Sequence, residues 1–143
     1  VKDTLFSTKK TLNIRGKLYV LDKPRIMGIV NVTPDSFYSE SRIKKGKELL
    51  KAVEDMLIQG ADFIDVGGYS SRPGAIEISE EEEYSRVIPA VQSIHKNYPE
   101  ALISVDTFRS SIAWQAYNEG AAMINDISGG QLDDNMFKTI SRI

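Results

Sequence analysis

The chain has 143 residues, enough for one domain with a real core, and its 41% hydrophobic and 27% charged content is that of a soluble globular protein rather than a disordered segment. A net charge of -2 argues against nonspecific nucleic-acid binding, which needs clustered Lys and Arg, and no apolar run approaches the roughly 20 residues that cross a bilayer. The absence of cysteine excludes a disulfide framework, a thiolate nucleophile and a Cys-based zinc site, and fits a cytoplasmic location.

Residues 11 to 20 alternate apolar and polar about Arg15-Gly16, which predicts a small antiparallel hairpin capping one end of the main fold. Arg25 to Asn31 reads as a buried strand that starts after Pro24. Lys44 to Gln59 reads as a helix: Leu49, Leu50, Val53, Met56 and Leu57 form one apolar stripe, and Gly60 closes it. Lys44, Lys45, Lys47 and Lys51 form its solvated face.

Ala61 to Val66 is the second strand. A second helix begins near Ser79, whose hydroxyl caps it while Glu82 reaches back, and the acidic run Glu80 to Glu83 lies on the positive end of the dipole as a structural feature. Tyr84, Val87, Ile88, Val91 and Ile94 form its apolar face, and Pro89 in its interior should bend it or break a hydrogen bond. Ala101 to Asp106 is the third strand, Ser110 to Glu119 the third helix, and Ala122 to Ile127 the fourth strand. Asp133 looks like the cap of a fourth helix, and the chain stops soon after that pattern begins, as a piece of a longer protein would.

Alternating strands and helices imply an α/β fold with a parallel sheet and right-handed crossovers. Two architectures are compatible: an open doubly wound sheet, or half of an eight-stranded barrel, for which roughly 250 residues are typical. Length alone favours the open sheet.

Four apolar runs end on Asn31, Asp65, Asp106 and Asn125, each followed by small or hydroxyl residues. Where parallel strands finish at one edge, such ends converge on one volume, where binding sites of these folds lie. The loop after Asn31 is stiffened by Pro34 and carries Asp35 and Phe37, as a lid does; the loop from Gly67 to Ala75 joins glycines, hydroxyls and Arg72, which suits an anion. The nucleotide-binding patterns G-x-x-x-x-G-K-[ST] and G-x-G-x-x-G are absent, as is the hydrolase pattern G-x-S-x-G. His95 reads as a surface or dipole-facing residue, and Trp114 and Tyr117 as packing residues.

Together GIVNVTPDSF (28–37), DVGGYSSRPGA (65–75), SVDT (104–107) and INDISG (124–129) resemble dihydropteroate synthase, a pterin-binding family, in order and spacing, and they span about two thirds of the chain. The resemblance reverses the preference from length. It implies a TIM (β/α)8 barrel of which residues 1–143 are the N-terminal half of a single domain, the first four βα units preceded by a small β-hairpin.

The resemblance further implies condensation of 6-hydroxymethyl-7,8-dihydropterin diphosphate with 4-aminobenzoate in folate biosynthesis, in an enzyme that is a sulfonamide target and a homodimer when complete. Asn31 corresponds to the ligand of Mg²⁺, the cofactor. Asp106 and Asn125 correspond to residues bonding the pterin ring, with capping of the third helix as the alternative for Asp106. Asp35, Arg72 and Asp106 are implied in catalysis, and Thr33, Phe37, Ser71, Arg72, Pro73 and Ile127 in substrate binding. Asp65 either joins the site or only supports the second loop.

Ser71 stands where the family usually carries Thr and keeps the hydroxyl. The family's later aspartate, its Lys-containing motif and its terminal Arg-x-His have no counterpart before Ile143, so this piece alone is expected to be inactive, and its bare sheet edges to make it incompletely stable. The alternative from another class is a noncatalytic pterin-binding or subunit-pairing paralogue.

Overall fold

The computed structural model describes residues 10–32, 42–69 and 77–143, with the backbone alone for residues 42–45. Thr11–Ile14 (β1) and Lys17–Val20 (β2) form the expected hairpin. Arg15 and Gly16 take φ of 50° and 75°, the doubly left-handed turn whose twist matches the flanking strands. The Tyr19 hydroxyl donates to Asp62 Oδ1 at 2.9 Å, its ring meets Phe63 edge-on at 5.4 Å, and Arg15 donates to the carbonyls of Pro99 and Gly120. These contacts lie at the amino-terminal ends of the strands of the main sheet, so the hairpin caps that end and leaves the carboxyl end open.

Met27–Asn31 (β3), Phe63–Gly67 (β4), Leu102–Asp106 (β5) and Met123–Asn125 (β6) form a parallel sheet in the order β3-β4-β5-β6. The first three begin one or two residues later than expected. Asp62 is one reason: its carboxylate accepts the Ile26 N–H at 2.9 Å and bonds from Tyr19 and Arg25, which fixes the entry to β4. The fourth strand ends at Asn125, so Ile127, expected within it, lies beyond it and is 76% exposed.

Arg42–Ile58 (α1), Glu80–Asn97 (α2), Ser110–Asn118 (α3) and Met136–Ile140 (α4) follow successive strands. On α1, Leu49 and Val53 are buried and Met56 and Leu57 pack against the core, while Lys47 and Lys51 are exposed. On α2, the Ser79 hydroxyl accepts the Glu82 N–H at 3.1 Å, but the Glu82 carboxylate pairs with Arg86 instead of reaching back. The helix runs unbroken through Pro89, which is exposed, so the carbonyl it leaves without an amide faces solvent rather than the core. Tyr84 is 44% exposed; its expected place on the buried stripe belongs to Glu83, at 0%. Asp133 Oδ1 accepts the Asn135 N–H at 2.9 Å at the entry to α4, as expected of a cap, while Asn135, the residue immediately before the helix, makes no side-chain cap bond.

One core cluster unites Val30, Ile64, Val66, Ile103 and Val105 from the strands with residues of α1, α2 and α3. Each fully buried Val or Ile contributes about 1.5 to 3 kcal/mol. A doubly wound sheet reverses its strand order at a switch point and covers both faces; here the order is sequential and these three helices share one face. These are four successive βα units of a (β/α)8 barrel, and the open-sheet alternative fails on topology. No helix among the described residues is long and apolar enough to cross a membrane.

Candidate functional site

Side chains alternate along a strand, and register partners in a parallel pair point the same way. Gly28 faces α1, since a Cβ there would lie 2.7 Å from Met56 Sδ, so Met27, Ile29 and Asn31 face away from the helices. Register then carries this inner face across the sheet: Asn31 pairs with Gly67, Gly67 with Asp106, and Asp106 with Asn125. Asn31, Asp106 and Asn125 therefore occupy one row, at the carboxyl end, on one face. Beneath them lies a second row of Ile29, Asp65, Ser104 and Met123.

Gly67 opens a gap in the upper row. A Cβ on it would lie 3.4 Å from Asn31 Oδ1, 3.7 Å from Asp106 Cβ and 3.8 Å from Asp106 Oδ2. An amide oxygen and a carboxylate oxygen thus lean over the same vacant position, and the Asn31 oxygen is a neutral hard donor of the kind that suits Mg²⁺. Among the described residues no group of three or more His, Cys, Asp or Glu is placed to hold a metal. A divalent cation held from Asn31 would accordingly fill its shell with water and ligand oxygens, as Mg²⁺ commonly does.

Burial pushes the Asp106 carboxyl up to about 6, assisted by the negative charges of Asp65, Glu83 and Asp126. Such a carboxylate favours a ligand that supplies hydrogen-bond donors or positive charge. Asp126 is itself occupied, accepting the N–H groups of Ser128 and Gly130, each at 2.8 Å, in the turn after β6.

Asp65, in the lower row, is buried at 4% exposure and accepts from Asn125 Nδ2 at 3.1 Å. Among the described residues its side-chain hydrogen-bond partner is thus a member of the upper row. Asp65 Oδ1 and the neighbouring Ser104 hydroxyl are buried without a hydrogen-bond partner among the described residues.

Sequence reasoning missed the network behind Asp106. Glu83 accepts from the Thr107 hydroxyl at 2.6 Å and pairs with Arg109, whose guanidinium also donates to the Ile78 carbonyl at 2.7 Å. Arg86 donates to the Gly68 carbonyl at 3.0 Å. One turn of α2 thus ties down both described margins of the loop after β4 and the segment that follows Asp106. The signal was present in the helix period: Glu83 stands four residues before Val87 and eight before Val91, on the same stripe.

Thr33, Asp35, Phe37, Ser71, Arg72 and Pro73 lie outside the described residues. His95 is partly buried rather than a plain surface residue: its ring packs on Gly120, whose φ of +106° and lack of a Cβ permit the contact. Trp114 and Tyr117 are 41% and 43% exposed; the helix packs instead through Ile112, Ala113 and Ala116.

A family model described as pterin binding enzyme matches residues 27–143. The chain belongs to the pterin-binding enzyme family. It is 41% identical over 133 residues to a dihydropteroate synthase of Clostridium beijerinckii, a match covering 93% of this chain and 47% of that protein. The folic acid synthesis protein fol1 of Pneumocystis carinii is 50% identical over 118 residues, which are 82% of this chain and 16% of that protein. Among solved structures, dihydropteroate synthase of Xanthomonas albilineans with 4-aminobenzoic acid superimposes with a TM-score of 0.84 at 35% identity, covering 93% of this chain and 49% of that one. The chain spans half or less of the length of these pterin-binding relatives.

Proposed function

We propose that the chain is the N-terminal half of a dihydropteroate synthase, a single barrel domain that binds a pterin diphosphate and contributes to forming its C–N bond with 4-aminobenzoate. The observation that carries this reading is the row of Asn31, Asp106 and Asn125 across three strands, with Gly67 leaving room among them. The names of the relatives add the substrate class: the Xanthomonas albilineans synthase holds 4-aminobenzoic acid, and one of Yersinia pestis is in a sulfonamide drug complex.

In the reaction the pterin methylene loses diphosphate as its C–O bond breaks, and the arylamine nitrogen forms the new C–N bond and gives up a proton to solvent. Asp106 accepts from donors on the pterin ring and fixes its plane; a charge-assisted bond of this kind contributes about 1.5 to 3 kcal/mol. Its charge also offsets positive charge developing on the pterin as the C–O bond stretches. Asn125 adds an acceptor beside it. Asn31 would hold Mg²⁺, which when bound neutralises charge on the departing diphosphate. By resemblance, Thr33 and Asp35 act from the first loop, Arg72 takes up leaving-group charge, and Phe37, Ser71 and Pro73 border the aminobenzoate pocket. Ile127 lies against the pterin. The arylamine is already nucleophilic, so no strong base is required.

The complete protein is proposed to be a cytoplasmic homodimer and a sulfonamide target; sedimentation and inhibition by sulfonamides test the last two. The deciding experiment supplies the complete polypeptide with pterin diphosphate, Mg²⁺ and 4-aminobenzoate and measures pteroate. Turnover is expected. Pterin binding without turnover would instead identify a noncatalytic paralogue, and absence of both would dispose of the site.

A further inference from the structure

Asn125 reaches across a strand. It stands on β6 in the upper row, while Asp65 stands on β4 in the lower row, two strands away, or about 10 Å between strand axes. The bond of 3.1 Å between Asn125 Nδ2 and Asp65 Oδ2 therefore passes over β5, where the side chain in the lower row is the small, fully buried Ser104. A larger residue at 104 would stand in the path.

The chemistry of the two groups fixes the sense of this bond. Asn125 Nδ2 donates and Asp65 Oδ2 accepts, so the carboxamide turns its N–H end toward Asp65, which leaves Asn125 Oδ1 pointing away from it. Asn125 is otherwise exposed, and nothing else among its described contacts selects one face of the amide over the other. Asp65 is held at 4% exposure and cannot swing out to water without breaking the packing of the central strand.

We propose that Asp65 is a positioning residue that grips Asn125 by its N–H end, so that Asn125 Oδ1 and the Asp106 carboxylate face the ligand as paired acceptors and select a heterocycle edge bearing two adjacent N–H donors. This rests on the reading of the upper row as the pterin floor. Asp106 and Asn125 are direct register partners on adjacent strands, so their acceptor atoms can serve one edge of one ring. A free amide would present donor and acceptor with equal ease, and half of its orientations would set N–H against N–H.

The test uses the complete polypeptide at pH 8, where Asp106 is ionised with or without Asp65 beside it. Asp65→Ala is expected to weaken binding of pterin diphosphate by about tenfold, the scale of one lost hydrogen-bond alignment, and to leave the KM for 4-aminobenzoate unchanged. In an Asn125→Ala background the same substitution should cost less than about twofold, because the residue it positions is gone. Asp65→Asn keeps a carbonyl acceptor and should recover most of the affinity, and it serves if the alanine variant does not fold. Effects of Asp65→Ala and Asn125→Ala that simply multiply would overturn the assignment.

A second readout needs no ligand. The Asn125 side-chain amide protons should exchange slowly and resonate downfield in the unsubstituted protein, and lose both properties in Asp65→Ala. If that signature is present while no pterin binds, the grip stands and the proposed substrate fails; if it is absent, the grip itself is refuted.

Discussion

Asp133 Oδ2 accepts the backbone N–H of Ser110 at 2.7 Å, so the first turn of α3 is capped by a residue from the segment leading into α4. Thr107 Oγ1 accepts the N–H of Arg109 at 3.1 Å, an amide that a capping Asp106 could otherwise have served. Asp106 caps nothing there and is left to face the site. Asp133→Ala is expected to cost about 1 kcal/mol of stability in urea titration while leaving pterin affinity unchanged. The Ser110 amide holds the Asp133 carboxyl below its ordinary 3.8, so this stabilisation is present above that value and is lost as acid carries the pH below it. An affinity loss equal to that of an Asp106 variant would contradict the division of roles.

Ligand binding should depend on pH through Asp106, whose carboxyl is pushed up to about 6 by burial and by neighbouring negative charge. The sign is set by which form is favoured. The folded protein holds this proton more tightly than the unfolded chain, so the charge on Asp106 destabilises the fold progressively from about pH 4 to 6 and fully above it. A pterin donating N–H groups relieves that cost and prefers the ionised form. Pterin affinity in the complete protein should fall by up to tenfold per pH unit below about pH 6, and Asp106→Asn should bind weakly with a flat profile. A profile unchanged by Asp106→Asn would place the titrating group elsewhere.

Glu83→Ala should be among the most damaging substitutions in the chain. It leaves the Arg109 guanidinium partly buried without its counter-charge and the Thr107 hydroxyl without its acceptor, a class of change that costs about 3 to 5 kcal/mol. Glu83→Gln keeps an acceptor for Thr107 and should cost less. Chemical denaturation of both variants checks the order, and a loss near zero for the alanine variant would show that the pair contributes nothing.

The two adjacent glycines should differ in kind. A Cβ on Gly68 would lie 2.5 Å from Val87 Cγ2 in the core, so Gly68→Ala should cost about 1 to 3 kcal/mol through overpacking. At Gly67 the nearest atom is Asn31 Oδ1 at 3.4 Å, and Gly67→Ala should fold with a loss below about 1 kcal/mol yet reduce Mg²⁺-dependent pterin binding, because the gap shared by Asn31 and Asp106 is filled. Melting curves and ligand titration separate the cases. Equal melting losses would discredit the contrast.

Much of this was legible in the chain. The strand ends Asn31, Asp106 and Asn125 were marked by apolar runs that stop on a polar residue, and the stripe on α1 followed from its spacing. Tyr84 and Glu83 show where such reading fails: a ranking by residue type places the aromatic inside, yet Glu83 is inside, because Arg109 and Thr107, 26 and 24 residues away, satisfy its charge and its oxygens. A partner so distant leaves no local periodic trace. Asp133 is a similar case, since a capping residue preceding a helical pattern is read as serving that helix, whereas one of its oxygens turns back to α3.

By itself the amino-acid sequence determined the order of elements, most of the stripe each long helix buries and the polar ends Asn31, Asp106 and Asn125 of three strands, because these depend on periods of 2 and 3.6 and on turn chemistry within a few neighbours. Only the tertiary structure decided that the strands lie in sequential order beneath helices on one face, that Gly67 opens a gap between Asn31 and Asp106, and that Asp65 grips Asn125 across β5. Those facts depend on interstrand register and on side chains as many as 60 positions apart, which no local pattern encodes.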